Sequence, residues 1–237
     1  MQAISTYPVS IGHFLRADAN TIHGWIMARR LQMTWFCVVA IIVGAGGYGA
    51  VLGAWREPLQ ALYTGIKLPL VILLTTCGNG LLNGILAPLL GLNVSFRQSF
   101  AIVLMTFAIA ALILGALSPV ALFLVWNTPA LTASTRPASA EYQILQLSLA
   151  VFIAYAGIMG NLHIMPLLRE YTGSVRVARR VLLAWLAGNL LLGSKICWVL
   201  RPFIWDPVRP VEFIGPEYFC GSFFETVFQA AWHLIFR

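Results

Sequence analysis

A stripe of polar side chains runs through one of the most apolar segments of the chain. Thr75, Asn79 and Asn83 are spaced four residues apart, so on a helix they share one face. Such a face could line a path for a solute, or bind a pigment or a lipid headgroup. It could equally hydrogen-bond to a neighbouring helix in lipid, at about 1 kcal/mol or less per bond. Helix association is the interpretation that this spacing favours.

Two further side chains could carry chemistry inside apolar segments. Lys195 lies well within one of them, where a charge is costly and marks a candidate site, although its long stem could reach the membrane surface. No carboxylate lies within an apolar segment, which argues against a proton relay. His163 is a candidate ligand for a haem or chlorophyll-type pigment. A hydrogen bond to a neighbouring helix is the favoured interpretation for this histidine, so we expect no cofactor.

The chain lacks the residue patterns of common catalytic and metal sites. Its 8 acidic residues are scattered, and we find no Ser-His-Asp order, paired carboxylates, phosphate loop or HExxH pattern. The four cysteines include no CxxC pair, so neither a disulfide framework nor a zinc site is expected: Cys37, Cys77, Cys197 and Cys220. These observations predict a protein that is not an enzyme, with no catalytic residues and no metal site.

Glycines are concentrated in two apolar segments. The run from Gly44 to Gly49 formally matches the dinucleotide fingerprint G-x-G-x-x-G, but that fingerprint needs a preceding strand, and this copy lies in the middle of an apolar segment. In lipid, small residues instead let helices approach closely. The predicted helix-packing glycines are Gly44, Gly46, Gly47, Gly49, Gly53, Gly78, Gly80 and Gly84.

Basic residues collect at the ends of the apolar segments. The net charge is +7, and this placement indicates contact with anionic lipid rather than with nucleic acid. The densest cluster is predicted to bind lipid headgroups or an acidic partner protein: Arg169, Arg176, Arg179 and Arg180.

The composition requires a membrane environment. Apolar residues make up 59% of the chain, charged residues 10%, and the mean hydropathy is +0.83, whereas soluble domains carry about 25% charged residues. A helix of about 20 residues crosses the hydrocarbon core, and the ten-residue alternation typical of membrane β-barrels is absent. We predict an all-α, multi-pass helical bundle with five transmembrane helices at 33–53, 67–90, 100–126, 143–168 and 181–203.

Amphipathic segments flank the predicted bundle. Residues 1–32 form a cytoplasmic or interfacial segment without the features of a cleavable signal peptide. Residues 204–237 hold a proline-punctuated stretch and then an amphipathic helix that begins with a capping box formed by Ser222 and Glu225. Of the 15 Lys and Arg residues, more lie on the N-terminal side of the membrane than on the other, which predicts a cytoplasmic N-terminus and an external C-terminus.

Short motifs in and between these segments resemble a known family. The run Lys67-Leu-Pro-Leu-Val-Ile-Leu-Leu, the run Leu92-Asn-Val-Ser-Phe-Arg-Gln and the pair Ser118-Pro119 resemble the Yip (Ypt-interacting protein) type of five-span membrane protein. The run Trp198-Val-Leu-Arg-Pro-Phe is similar to that of poorly characterised bacterial proteins with the same plan. The resemblance covers roughly residues 50–203. It implies five spans, a cytoplasmic N-terminus, no catalytic site and a location in the bacterial inner membrane.

These features support three functional hypotheses. The first is a non-enzymatic membrane subunit or scaffold that packs with protein, lipid or pigment in a larger assembly. The second is a small transporter or channel subunit that uses the polar stripe together with Lys195. The third, implied by the resemblance, is a protein of membrane traffic or membrane shaping. Membrane lipids and other membrane subunits are the expected partners, and nucleic acid is not.

Overall fold

The structure, a computed structural model, is helical throughout its regular parts. It describes residues 14, 15, 22, 24, 25, 30–91, 94–129, 140–201 and 211–214, and no strand occurs among them. The helices are α1 (Arg30–Ala54), α2 (Pro58–Leu89), α3 (Phe96–Asn127), α4 (Ala140–His163), α5 (Met165–Thr172) and α6 (Val175–Leu200).

The helices are long and apolar enough to cross a membrane. Five stretches of the described residues meet this requirement: Leu31–Ala54, Pro58–Leu86, Phe96–Asn127, Leu147–Thr172 and Val175–Leu200. The all-α fold with five membrane-spanning helices, predicted from composition and segment length, is confirmed, and the protein is a multi-pass membrane protein.

The second helix begins before its predicted span. The predicted span begins at Lys67, but α2 runs without a break from Pro58. Proline in the first helical turn costs no hydrogen bond, because the N–H groups there have no intrahelical acceptor. Gln60 in this first part donates a 3.1 Å hydrogen bond to Thr64. Because the helix starts early, Lys67 lies within it rather than at its edge.

The fourth span is divided between two helices. Helix α4 ends at His163, and α5 begins at Met165 with Pro166 in its first turn. Proline lacks an N–H, so it cannot continue the hydrogen bonding of α4. Helix α5 buries Leu167 and Leu168 and ends at Gly173, whose φ of 61° places it in the left-handed region that glycine adopts most easily.

Helices α1, α2 and α3 pack closely through glycine. A side chain at Gly49 of α1 would collide with the Thr64 backbone of α2, and one at Gly44 would collide with the Ala111 carbonyl of α3. The absence of a Cβ at these two positions is therefore what allows the backbones to meet.

The remaining spans attach to this group of three helices. Helix α4 packs on α3, where a Cβ at Gly160 would lie only 2.7 Å from the Thr106 carbonyl oxygen. The buried Tyr48 of α1 also donates a 3.1 Å hydrogen bond to the carbonyl of Leu149 in α4. Helix α6 packs on α2 and on α5. The polar stripe of α2 thereby lies where α2 meets α6.

Part of the N-terminal segment packs on the bundle. The Phe14 ring lies 6.4 Å from the Trp25 ring and 5.0 Å from the Phe36 ring of α1, and both Phe14 and Trp25 are buried. Most of the remaining predicted amphipathic segment, most of the link between α3 and α4, and the predicted terminal helix with Ser222 and Glu225 lie outside the described residues.

Candidate functional site

The polar stripe lies in the interior of the protein, against α6. Thr75, Asn79 and Asn83 are each at most 2% exposed. The side-chain amide of Asn79 donates a hydrogen bond to the Asn189 side-chain oxygen on α6. A Cβ at Gly193, one turn further along α6, would lie 3.6 Å from Thr75 Cγ2. Thr75 precedes Asn79 on α2, whereas its contact Gly193 follows Asn189 on α6. The two helices are therefore antiparallel.

Each residue of the stripe keeps a hydrogen-bonding atom unused. Thr75 Oγ1, Asn79 Oδ1 and Asn83 Nδ2 are buried and have no hydrogen-bond partner. A buried polar group without a partner costs about 1–3 kcal/mol. The stripe therefore offers one hydroxyl, one carbonyl oxygen and one amide N–H₂ to a ligand that could bind between the helices.

Thr76 and Asn161, two other polar side chains in the spans, do not share this property. Thr76 donates to the carbonyl of Ile72 at 2.8 Å, and Asn161 donates to the carbonyl of Gly157 at 2.8 Å. Bonding to the carbonyl four residues earlier is the common way for such side chains to be satisfied on a helix. Because Thr75 and Thr76 are adjacent and chemically identical, residue type does not explain why the Thr75 hydroxyl alone of the two is unused.

Two residues on neighbouring helices also have a buried hydrogen-bonding atom without a partner. Ser99 of α3 and Trp185 of α6 are at most 1% exposed, and Ser99 Oγ and Trp185 Nε1 have no hydrogen-bond partner. Sequence reasoning missed both. A serine at the start of a span and a tryptophan in an apolar helix are ordinary residues there, and no signal in the sequence distinguishes them.

The helix contacts place Ser99 within about one helical turn of Asn83 in depth. Glycines of α2 lie against phenylalanine rings of α3 on either side of Ser99: Gly80 against Phe100, and Gly84 against Phe96. Because Gly80 is level with Phe100 and Gly84 with Phe96, Ser99 is level with Leu81, two residues or about 3 Å from Asn83 along the helix axis.

The pairing of Asn79 with Asn189 places Trp185 at the depth of Asn83. Asn79 pairs with Asn189, and the two helices are antiparallel. Both helices advance about 1.5 Å per residue, so one turn later on α2 corresponds to one turn earlier on α6. Asn83 is therefore level with Trp185. The chain brings Asn83, Ser99 and Trp185 within about one helical turn of the same depth, from three different helices.

The two lysines of interest have opposite surroundings. Lys195, predicted to join the stripe, is exposed on α6, whereas Asn189 and Gly193 face α2. The structure therefore does not bring Lys195 together with the stripe.

Lys67 is 1% exposed, and its Nζ donates a 3.2 Å hydrogen bond to the Glu212 carbonyl. The ring centroids of Tyr63 and Phe213 lie 5.9 Å and 5.2 Å from that nitrogen.

His163 lies apart from the stripe, at the end of α4. It is half-buried, and its Nε2 is buried without a hydrogen-bond partner. Among the residues that the structure describes, no group of three or more His, Cys, Asp or Glu side chains could hold a metal ion. Ligation of a haem or chlorophyll-type pigment by His163 stays a prediction.

The glycines selected from the sequence differ in their surroundings. A Cβ at Gly47 would meet nothing within 4 Å. The other seven lie against another helix, with α1 glycines facing α2 or α3 and α2 glycines facing α3 or α6: Gly44, Gly46, Gly49, Gly53, Gly78, Gly80 and Gly84. Glycines on α1 and α2 thus meet neighbours within this chain.

The arginine cluster forms one end of the bundle, which we call the basic end. It comprises exposed arginines at the start of α3, on α5 and at the start of α6: Arg97, Arg169, Arg176, Arg179 and Arg180. The turn after α2 belongs to the same end, because a Cβ at Gly91 would lie 3.8 Å from Val177 of α6. Asn83 is the stripe residue nearest this end, and Thr75 is the furthest.

No family model, curated protein or solved structure matches the chain. The resemblance to Yip-type proteins accordingly stays a prediction from the motifs that carry it. The function is therefore inferred from the chemistry of the polar stripe and of the basic end.

Proposed function

We propose that the protein binds a small polar ligand between α2, α3 and α6, and that it acts as a small, non-enzymatic transporter or channel subunit. One observation carries this proposal: each residue of the stripe is buried in a membrane-spanning helix and keeps an unused hydrogen-bonding atom. A stripe that served helix association alone would pair these atoms across the interface, because an unpaired polar group is especially costly at low dielectric. A ligand that pairs with them removes that cost.

Helix α6 is the element best suited to open the site. In its most apolar stretch, 17% of the residues are buried in the protein, against 56% for α3. Its contact with α2 runs through small or flexible residues, among them Gly188, Asn189 and Leu192. An element with few buried contacts separates at a small free-energy cost. Movement of α6 away from α2 would expose the stripe while leaving α1, α2 and α3 packed.

Thiol labelling in intact membranes tests the proposal. Asn79→Cys is introduced into a chain whose native cysteines have been replaced by alanine, and the membranes are treated with a membrane-impermeant thiol reagent. We expect labelling, because opening of α6 admits water to position 79. Asn161→Cys is the matched control. Asn161 is also a buried asparagine in a span, but its amide is bonded to its own helix. Equal resistance of both cysteines to the reagent would contradict the proposal.

A second candidate function is that of a subunit packed against another membrane protein. The last two candidate spans have the lowest buried shares, 28% and 17% of their most apolar stretches. On α4, Ala150 and Ala154 are exposed and a Cβ at Gly157 would meet nothing within 4 Å. Small residues on an exposed helix face suit a helix of another subunit, since they allow close approach.

Purification in mild detergent tests this candidate. We expect a stoichiometric membrane partner that is lost from the Ala154→Leu variant and kept by Val151→Leu, which enlarges an exposed residue of the same helix that is already bulky. Retention of the partner by both variants would exclude this face of α4. Recovery of a second copy of the chain alone would mean self-association in place of a subunit role.

A further inference from the structure

Asn83, Ser99 and Trp185 share one chemical preference. The indole Nε1 of Trp185 can only donate a hydrogen bond, the amide Nδ2 of Asn83 is a donor, and the Ser99 hydroxyl can donate. All three atoms are buried without a partner. Three donors from three helices suit a ligand group that is rich in acceptors.

The positive charge at the basic end indicates that the bound ligand group is negatively charged. Arg97 precedes Ser99 by half a turn of α3, and Arg179 and Arg180 precede Trp185 on α6; all three arginines are exposed. Among the described residues of this end, Glu170 on α5 is the one carboxylate, so the described arginines outnumber it. A surface of this sign raises the local concentration of anions and speeds their approach.

We propose that the ligand carries an anionic group, a phosphate or a carboxylate, which enters from the basic end and accepts hydrogen bonds from Asn83, Ser99 and Trp185. This proposal rests on the proposed function, because it specifies the class of the polar ligand. The arginines attract the anion and remain outside, whereas the three buried donors hold it. Anions are commonly recognised by such charge-assisted hydrogen bonds, which are stronger than neutral ones.

Binding to the full chain in nanodiscs tests the proposal. One arm uses discs of phosphatidylcholine titrated with inorganic phosphate or acetate, and the other uses discs that also contain phosphatidylglycerol. Stabilisation against thermal unfolding reports binding. We expect stabilisation in at least one arm: in the first if the anion is a free solute, and in the second if it is a lipid headgroup.

The variants distinguish the buried donors from the surface charge. Ser99→Ala and Trp185→Phe each remove one donor with little change in shape, and we expect each to weaken binding by about tenfold or more. The matched control is Ser118→Ala on the same helix, since Ser118 already donates to its own backbone at 3.1 Å. We expect binding by this variant to be unchanged.

Two results would overturn the anion site. The first is the absence of stabilisation in both arms. The second is binding that Arg179→Gln and Arg180→Gln weaken but that Ser99→Ala and Trp185→Phe leave unaltered, because the anion would then bind to the surface alone. Labelling of Asn79→Cys without any anion binding would leave the proposed function intact and refute only this ligand class.

Discussion

Replacement of Thr75 by valine should stabilise the ligand-free protein. Valine has the shape of threonine and is also β-branched, so packing against Gly193 of α6 is kept. What changes is the hydroxyl, which is buried at Thr75 without a hydrogen-bond partner. Thr76→Val is the matched control, because the neighbouring hydroxyl donates a 2.8 Å hydrogen bond to the Ile72 carbonyl.

The hydrogen bonding of the two threonines predicts the direction and magnitude of the change in the free energy of unfolding for each variant. Removing an unpaired buried hydroxyl relieves a penalty of about 1–3 kcal/mol, so Thr75→Val should raise the free energy of unfolding. Thr76→Val removes a hydrogen bond inside the membrane, and such bonds contribute about 0.6 kcal/mol on average. The free energies of unfolding of the two variants should therefore differ by about 2 kcal/mol, in favour of Thr75→Val.

Reversible unfolding in mixed detergent micelles, followed by circular dichroism, measures this difference. The protein is first dialysed free of small molecules, so that the comparison concerns the unliganded state. Equal destabilisation by both variants would refute the reasoning, because Thr75 would then be bonded in the membrane and the stripe would serve helix association. The ligand-bound state should show the reverse order, since Thr75→Val deletes a group that the ligand uses.

Three further predictions follow from other contacts. Gly44→Ala should lower the free energy of unfolding by about 2 kcal/mol or more, because overpacking typically costs about 1–3 kcal/mol and the new methyl group would meet backbone of α3. Gly47→Ala, which faces open space, should instead be neutral or stabilising in the same unfolding measurement. Lys67→Met should increase hydrogen exchange and protease cleavage around Glu212, whose carbonyl accepts the 3.2 Å bond from Lys67; unchanged protection would show that this bond does not hold the segment. Arg179→Gln should weaken the binding of phosphatidylglycerol to the detergent-solubilised protein by about 1 kcal/mol, measured by titration with that lipid, and the effect should disappear at high salt.

Membrane insertion and the number of spans follow from the sequence because they depend on local properties. The length and apolarity of each segment decide whether it can cross a bilayer, and neither requires knowledge of a neighbour. The polar stripe follows in the same way, since Thr75, Asn79 and Asn83 share a face on any regular helix. The boundaries of the spans follow less well from the sequence: the second span is predicted to begin at residue 67, whereas α2 begins at Pro58.

Which polar groups lie together was decided by tertiary structure. Lys195 and Lys67 are both lysines beside apolar residues, yet one is exposed and the other is buried against Glu212 and Phe213. The burial of a lysine depends on which other segments meet its helix, and that information is not local.

The sequence by itself determined that the chain is an all-α membrane protein with five spans and one polar face on its second span. Only the packing of α2 against α3 and α6 decided that Ser99 and Trp185 lie within about one turn of Asn83 in depth. It also decided that the hydroxyl of Thr75 has no partner while that of Thr76 has one. The physical reason is the range of the interactions. Hydropathy and helix periodicity depend on residues within a few turns, whereas the pairing of a buried polar atom depends on helices far apart in the chain.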